Sequence, residues 1–225
     1  FGTGVEIKGG ICYFLWDRDN SGECMVATHD SSGVISQQNR YMKFGNSDVF
    51  IRRNEAISVL EKVTAANEES FSTLVSSRKP FGLPTNIIGK KVQGKYDAVL
   101  YQRGGTAYYP ISGLLRNQDW VNKYKIYITK AYNAGDDYPH QILNKPIFGD
   151  KGTCCTETYI VIGPFSSEDI TKSVMSYIHT RFFRFLVSLK KISQDATQRV
   201  YEFVPMQDFS KFWTDDELFD KYHLT

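Results

Sequence analysis

The sequence lacks the patterns that mark membrane insertion, secretion or a bound metal ion. No apolar run approaches the length of a membrane span, and no signal peptide opens the chain. The four cysteines, at positions 12, 24, 154 and 155, form no C-x-x-C pair, and adjacent cysteines strain a mutual disulfide. The four histidines are scattered without metal-ligand spacing. We therefore expect free thiols, no membrane partner and a cytoplasmic location.

The chain also lacks the short motifs of common catalytic and nucleotide-binding sites. It contains no nucleophile elbow, no H-E-x-x-H, no P-loop and no dinucleotide fingerprint. No two prolines are adjacent, which excludes the [D/N/S]-P-P-[Y/F/W] tetrapeptide of amino-methyltransferases. A glycine-rich cofactor loop follows a strand and leads into a helix. The opening Phe1-Gly2-Thr3-Gly4 does neither. This chain alone is therefore predicted to catalyse nothing.

Apolar and aromatic residues are abundant enough for a folded core. The chain has 225 residues, of which 41% are hydrophobic, and this supports one large domain or two small ones. Its 14 Tyr, 15 Phe and 3 Trp argue against disorder. Because the sequence starts at Phe1 without Met, we expect it to be a piece of a longer protein.

The charge is unevenly distributed although the net charge is only +2. Residues 78–151 hold 12 Lys or Arg and 5 Asp or Glu, whereas the remainder holds 15 basic and 20 acidic residues. A basic middle between acidic ends predicts one surface that attracts a polyanion. The alternative is a solvated face whose charge the acidic segments neutralise in space.

The clearest pattern covers Gly152–Lys191. A buried strand is predicted at Thr158–Ile162, ended by Gly163-Pro164, and Ser166 or Ser167 then caps one long helix. Its apolar face follows helical spacing through Ile170, Val174, Ile178, Phe182, Phe185 and Leu189. Cations gather toward its C-terminal end, at Arg181, Arg184, Lys190 and Lys191.

Other segments predict hairpins and isolated elements. The apolar run Ile11–Trp16, buried on both faces, would pair with Glu23–Thr28, and Ala98–Gln102 would pair with Thr106–Tyr109 across Arg103-Gly104-Gly105. A helix is predicted over Glu55–Ala66, strands over Lys125–Ala131 and Val200–Val204, and a Thr214-capped acidic segment near the end.

Two loops are candidates for ligand contact. Tyr132–Lys151 is long and rich in turns, and a loop of that length in a compact domain is usually functional or mobile. Ser76–Pro84 combines hydroxyls with two adjacent cations, which suits phosphate contact, although an ordinary exposed turn explains it equally well.

Four segments carry a resemblance to a known family: VEIKGGICYFLWDRDNSGEC, FSTLVSSRKPFGL, GTCCTETYIVIGPF and RFFRFLVSLKKISQDATQRVYEFVPMQDFSKFWTDDELFDKY. Together they resemble the C-terminal part of N6-adenine-specific DNA methyltransferases of bacterial restriction-modification systems, including fused Type II enzymes. The resemblance spans nearly the whole chain, but the family's catalytic half has no counterpart here.

This resemblance implies a fold, a domain division and a partner. It implies a mixed α/β (α+β) fold with an irregular mixed or antiparallel sheet and packed helices. Residues 1–30 would be the edge hairpin of a methyltransferase domain, and residues 31–225 a DNA target-recognition domain. The partners would be double-stranded DNA and an upstream catalytic domain. S-adenosylmethionine would serve that upstream domain, so this chain itself would hold no cofactor.

A recognition domain needs cations for phosphates and amide or Arg groups for base edges. For phosphates we expect Arg78, Lys79, Arg103, Lys130, Lys145 and Lys151. For base edges we expect Gln102, Arg103, Asn133, Gln141, Asn144, Gln194 and Arg199.

Two other classes of function remain open. A protein-interaction module could dock a partner subunit through the aromatic helix Tyr177–Leu189. A nuclease domain would need a carboxylate cluster around Mg²⁺, for which Asp17, Asp19 and Glu23 are close in sequence but resemble turn residues.

Overall fold

The computed structural model describes residues 11–30, 32–132 and 141–224, so Phe1-Gly2-Thr3-Gly4 lies outside the described residues. The chain forms two compact units, which we call the N-terminal unit (Phe1–Phe50) and the main unit (Ile51–Thr225). Within the described ranges the structure has three small sheets and four α-helices. This is the mixed α and β class that the sequence predicts.

The described part of the N-terminal unit contains one antiparallel hairpin, in which the strand predicted at residues 23–28 is confirmed but its partner is not the predicted one. Strand β1 (Cys24–Asp30) pairs with strand β2 (Gly33–Arg40), whereas residues 11–16 form no strand. The pairing is local because Asp30 accepts a hydrogen bond from the Ser32 amide at 2.7 Å and Gly33 adopts a φ of +118°, which closes a tight turn.

The apolar run 11–16 is exposed rather than buried on both faces. Leu15 is 96% exposed and Trp16 is 73% exposed. The prediction of a doubly covered strand is therefore wrong for this chain, and these side chains form an apolar surface.

The described part of the main unit contains six strands, which are β3 (Asp97–Gln102), β4 (Gly105–Pro110), β5 (Tyr124–Thr129), β6 (Ile147–Gly149), β7 (Thr153–Cys155) and β8 (Tyr159–Phe165). They form two sheets in the orders β4-β3-β7 and β6-β5-β8. Only the β3–β7 pair is parallel among these described pairs. The predicted β3–β4 hairpin is confirmed, with Arg103 and Gly104 at its tip.

The two sheets share one core. The ring of Tyr127 in β5 lies 4.8 Å from that of Tyr101 in β3, and the Tyr127 hydroxyl is 2.9 Å from the Thr153 hydroxyl in β7. The buried residues of this core are Phe81, Leu83, Ala98, Leu100, Leu114, Val121, Tyr127, Cys154, Cys155 and Val161. Helix α2 (Glu168–His179) contacts β5, β6 and β8, so β5 is covered by the other sheet and by a helix.

Strand β8 does not end where the sequence predicts. It continues through Gly163-Pro164 to Phe165, because the pairing with β5 shifts register there: Ile162 faces Ile126, and Phe165 faces Tyr124. A bulge accommodates a proline that a regular ladder would exclude. Strands β6 and β7 are only three residues each, and β6 lies inside the segment predicted as the long loop.

The predicted long helix is two helices. Helix α2 ends at His179 and α3 (Arg181–Lys190) begins after Thr180, whose backbone is extended. The Thr180 hydroxyl donates to the Tyr177 carbonyl at 2.7 Å and accepts from the Phe183 amide at 3.1 Å. One threonine therefore ends the first helix and caps the second. The predicted cap at Ser167 is confirmed.

The remaining helices agree with the sequence more closely. Helix α1 (Glu55–Ala65) occupies the predicted span to within one residue, and α4 (Asp215–Lys221) begins at a capping box of Thr214 and Glu217. The strand predicted at residues 200–204 is wrong, because residues 198–201 form a 3-10 turn that buries Val200 and Tyr201.

An aromatic cluster holds the helical side of the main unit together. Phe71 is fully buried, and its ring lies 5.0 Å from that of Phe183 and 5.9 Å from that of Tyr177. Tyr201 and Phe209 complete the contacts, each at 6.3 Å. One residue of a 3-10 turn thus joins α2, α3 and the C-terminal segment.

Replacing Phe71 by alanine is expected to lower the free energy of unfolding by about 3 to 5 kcal/mol, because it opens a cavity among four rings. Urea denaturation followed by circular dichroism measures it. Phe212→Ala is the matched control, since Phe212 is 61% exposed and should change little. Equal effects of the two substitutions would contradict this account of the core.

Strand β5 also buries a lysine. Lys125 is fully buried, and its ammonium donates to the Asp150 carbonyl and to the Thr153 hydroxyl, each at 3.1 Å. Burial lowers the pKa of Lys125 to about 8, although the nearby Cys155 and Cys154 thiols oppose that shift. A charged lysine in this core therefore costs stability at neutral pH.

The cost should be relieved as pH rises from about 8 toward the ordinary lysine pKa of 10.5, because over that range only the unfolded chain keeps the proton. Wild type should then gain on the order of 3 kcal/mol relative to Lys125→Met between pH 7 and 10.5. Urea denaturation across this range measures the difference. For the control Lys123→Met, at an exposed position, the difference in free energy of unfolding from wild type should not change with pH. A flat difference for Lys125→Met would show that the lysine is not desolvated.

Candidate nucleic-acid interface

Three cations converge on one buried carboxylate in the main unit. Arg78 binds Glu157 through two nitrogens, with Nε 2.8 Å and Nη2 2.6 Å from Oε1. The ammonium of Lys79 lies 3.8 Å from Oε2, and that of Lys130 lies 3.8 Å from Oε1. The Glu157 side chain is 9% exposed, whereas that of Arg78 is 62% exposed. We call these four residues the Glu157 cluster.

The backbone fixes each member of this cluster. The loop carrying Arg78 and Lys79 is tied to β8, because the Ser76 amide donates to the Val161 carbonyl at 2.8 Å and the Ser76 hydroxyl accepts from the Val161 amide at 2.9 Å. Lys130 follows β5 and donates its amide to the Thr158 carbonyl at 2.9 Å. The cluster is therefore built on the end of β5 and on a loop that is hydrogen-bonded to β8, not on a free loop.

The electrostatics of the cluster leave it cationic. Burial raises the pKa of the Glu157 carboxyl, but the hydrogen bond and charge of Arg78, with the charges of Lys130 and Lys79, outweigh burial and lower it overall. One ionised carboxylate beside three cations has a net charge of +2. Arg78 and Lys79 are each about half exposed or more, so they can reach an anion while Glu157 holds their positions.

A strip of polar groups continues from the cluster past the end of β5. The Ala196 amide donates to the Lys130 carbonyl at 2.7 Å, and the Tyr132 amide donates to the Gln194 carbonyl at 2.9 Å. The Tyr132 hydroxyl donates to Gln141 Oε1 at 3.1 Å. The structure thus places three predicted residues, Lys130, Gln141 and Gln194, along one edge.

Two further cations border this strip, and the sequence reasoning did not assign them. The Lys191 ammonium donates to the Tyr132 carbonyl at 3.3 Å, and Arg184 donates to the Leu143 carbonyl at 3.3 Å. Burial is the main cause of the lowered pKa of both groups. The only signal in the sequence was the cationic C-terminal end of the predicted helix, where Lys190 instead pairs with Glu202 and Arg181 with Asp215.

Within the described residues, the other predicted contacts do not join the Glu157 cluster, and several have local roles. Gln102 accepts a hydrogen bond from the Gly89 amide at 2.8 Å, and Lys151 lies 4.9 Å above the Tyr124 ring. Asn144 accepts from the Lys145 amide at 2.8 Å. Arg103, Lys145 and Arg199 are exposed, as is Lys151. Asn133 lies outside the described residues.

Carboxylates elsewhere show no metal-binding arrangement. Over residues 11–30, 32–132 and 141–224, no group of three or more His, Cys, Asp or Glu side chains could hold a metal ion. Asp17 accepts the Asp19 amide at 2.9 Å, and Asp19 pairs with Arg18, as turn residues do.

Comparison with known proteins assigns no function to this chain, so the geometric features above are the basis for one. No family model, curated protein or solved structure matches this chain. No helix in the described part of the chain is long and apolar enough to cross a membrane.

Glu157→Gln is expected to lower the free energy of unfolding at pH 7 by about 1 to 3 kcal/mol, because three cations lose the charge of their shared acceptor. The pKa of this carboxyl is lowered on folding, so its contribution is present above about pH 4.5 and is lost as pH falls through the folded pKa. Chemical denaturation at pH 7 and below pH 4 measures both effects.

Glu61→Gln, on the exposed side of α1, is the matched control and should change stability little at either pH. A Glu157→Gln effect that is the same size in acid would show that the carboxylate charge is not what holds the cluster.

Proposed function

We propose that the main unit binds double-stranded DNA and forms the sequence-specific recognition part of a bacterial site-specific adenine-N6 DNA methyltransferase or restriction-modification enzyme. The Glu157 cluster carries this proposal. It combines a net charge of +2, two accessible cations and a backbone hydrogen-bonded to β8, which suits contact with backbone phosphates.

The polar strip beside the cluster supports the reading of bases. Gln141 and Gln194 provide amide groups, and an amide can form paired hydrogen bonds with adenine in the major groove. The Gln194 backbone and the Gln141 side chain both contact Tyr132, two residues after Lys130, so phosphates bound by the cluster would bring a groove close to these amides. The cations set the register, and the amides supply sequence preference.

The catalytic part of the proposal belongs to another region of the parent protein. The resemblance found in the sequence supports an upstream domain that binds S-adenosylmethionine and transfers its methyl group. No catalytic role is assigned to any residue of this chain. The exposed apolar side chains of residues 11–16 are consistent with a covering domain, because large exposed apolar patches mark interaction sites.

The same apolar surface favours the second candidate, a subunit-docking module. The aromatic segment Tyr177–Leu189 is not available for that role, because Tyr177, Phe182 and Phe183 are buried in the main unit. The exposed run in the N-terminal unit is the better docking surface. The two functions are compatible, since they use different parts of the chain.

Replacing Arg78 and Lys79 by glutamine should weaken duplex binding and lower its salt dependence. Each lost phosphate contact removes about 0.9 from the slope of log K against log salt, so the double variant should lose about 2. Fluorescence anisotropy with a labelled duplex between about 50 and 200 mM salt measures the slope.

The matched control is the double variant Lys62→Gln and Lys172→Gln, which removes the same charge from exposed positions of α1 and α2. Its slope should stay close to that of wild type. Equal slopes for the two double variants, or salt-independent binding by wild type, would contradict the proposed function.

A further inference from the structure

An exposed segment lies along the outer edge of β4, remote in sequence from the Glu157 carboxylate. Lys90 and Tyr108 exchange backbone hydrogen bonds at 2.8 and 3.0 Å. At one end the Gly89 amide donates to Gln102 Oε1, and at the other the Ile111 amide donates to the Tyr96 carbonyl at 3.1 Å. We call residues 88–96, together with the hairpin tip 103–104, the edge lobe.

The edge lobe holds three large apolar side chains in water. Ile88 is 83% exposed, Val92 is 78% exposed and Tyr96 is 71% exposed. Single exposed apolar residues are ordinary, but three within nine residues of a tethered segment are an unusual concentration of exposed apolar surface. They alternate along the chain with Lys90, Lys91 and Lys95.

The charge of this lobe is almost entirely positive. Asp97 is the only acidic residue between positions 84 and 118, a stretch with five Lys or Arg. Its side chain is 4% exposed and already binds Lys90 at 3.5 Å and the Gly94 amide at 2.8 Å. Among the described residues, no acidic partner faces Lys91, Lys95 or Arg103.

We infer that the edge lobe is a second DNA-binding surface, one that takes DNA where the bases are unstacked. The positive charge of the lobe indicates that its ligand is a polyanion. The exposed apolar side chains indicate that the ligand also has an accessible apolar surface. A regular duplex presents phosphates and base edges but hides the base faces, which are the apolar part of the polymer. Where the duplex is distorted or unpaired, aromatic and aliphatic side chains can contact those faces while cations bind the adjacent phosphates.

Tyr96 is the residue best suited to stack on a base. Its ring is exposed, and the Lys95 ammonium lies 5.2 Å from its centroid, beside the place where a phosphate would sit. Ile88 and Val92 would contact sugars or neighbouring base faces. The inference rests on the proposed function only in that both surfaces bind DNA, and it adds the state of the DNA that the second surface prefers.

The test compares two labelled duplexes of one sequence, one fully paired and one with three central mismatched pairs. Wild type should bind the mismatched duplex roughly tenfold more tightly, which is the usual scale of one base–aromatic stack. The triple variant Ile88→Ser, Val92→Ser, Tyr96→Ser should bring that ratio close to one while binding the paired duplex as before. Lys91→Gln with Lys95→Gln should weaken binding of the mismatched duplex. Circular dichroism checks that the variants fold.

The outcomes separate this inference from the proposed function. Salt-dependent binding of the paired duplex with a ratio of one in wild type would overturn the edge lobe alone. Binding of the mismatched duplex without the paired one would support the lobe and overturn the proposed function. Failure to bind either duplex would overturn both. Displacement of the mismatched duplex by polyglutamate as effectively as by unlabelled DNA would indicate an acidic protein partner and would also overturn the inference.

Discussion

Strand β5 is hydrogen-bonded along both edges and covered on both faces, so four consecutive residues, Lys125 to Ile128, are buried. Central strands of this kind read as continuous apolar runs. Here the run includes a lysine, which the Asp150 carbonyl and the Thr153 hydroxyl accommodate. The packing of the two sheets and of α2 depends on this strand. Lys130 follows directly after the strand and places a cation at the surface.

The candidate site depends on this position of Lys130 after β5. Lys130 reaches Glu157 because β5 and β8 are paired, and Arg78 reaches it because the loop before Phe81 is tied to β8. A carboxylate at 9% exposure beside three cations is a costly arrangement unless all of them are held in place. The rigid backbone meets that requirement, and it leaves the outer ends of Arg78 and Lys79 free to contact a phosphate.

Local signals in the sequence predicted the elements that local interactions determine. The helix at α1, the cap at Thr214 and the tip at Arg103 all depend on residues within four positions of one another. The end of α2 at Thr180 was not predicted, because the helical spacing of apolar residues continues across it. The two helices are separated there by the Thr180 hydroxyl, which donates to the Tyr177 carbonyl and accepts from the Phe183 amide.

Other features could not be found without the tertiary structure. Strands of three residues, such as β6 and β7, are too short to show a period. Arg78, Lys79 and Lys130 were predicted as phosphate contacts, but their convergence on Glu157 joins positions 79 residues apart. In the N-terminal hairpin the strand at residues 23–28 was predicted correctly, but its partner was not, because the apolar run 11–16 is a stronger strand signal than the polar segment after the tight turn at Asp30. That apolar run is exposed in the structure.

The most direct test of the central claim is amide chemical-shift mapping of the whole chain during titration with a short duplex at low salt. The account predicts that shifts concentrate at residues 76–79, 130–132, 157–158 and 194–196, where the Glu157 cluster and the polar strip lie. Shifts confined to α1 and α4, or none at saturating DNA, would contradict it.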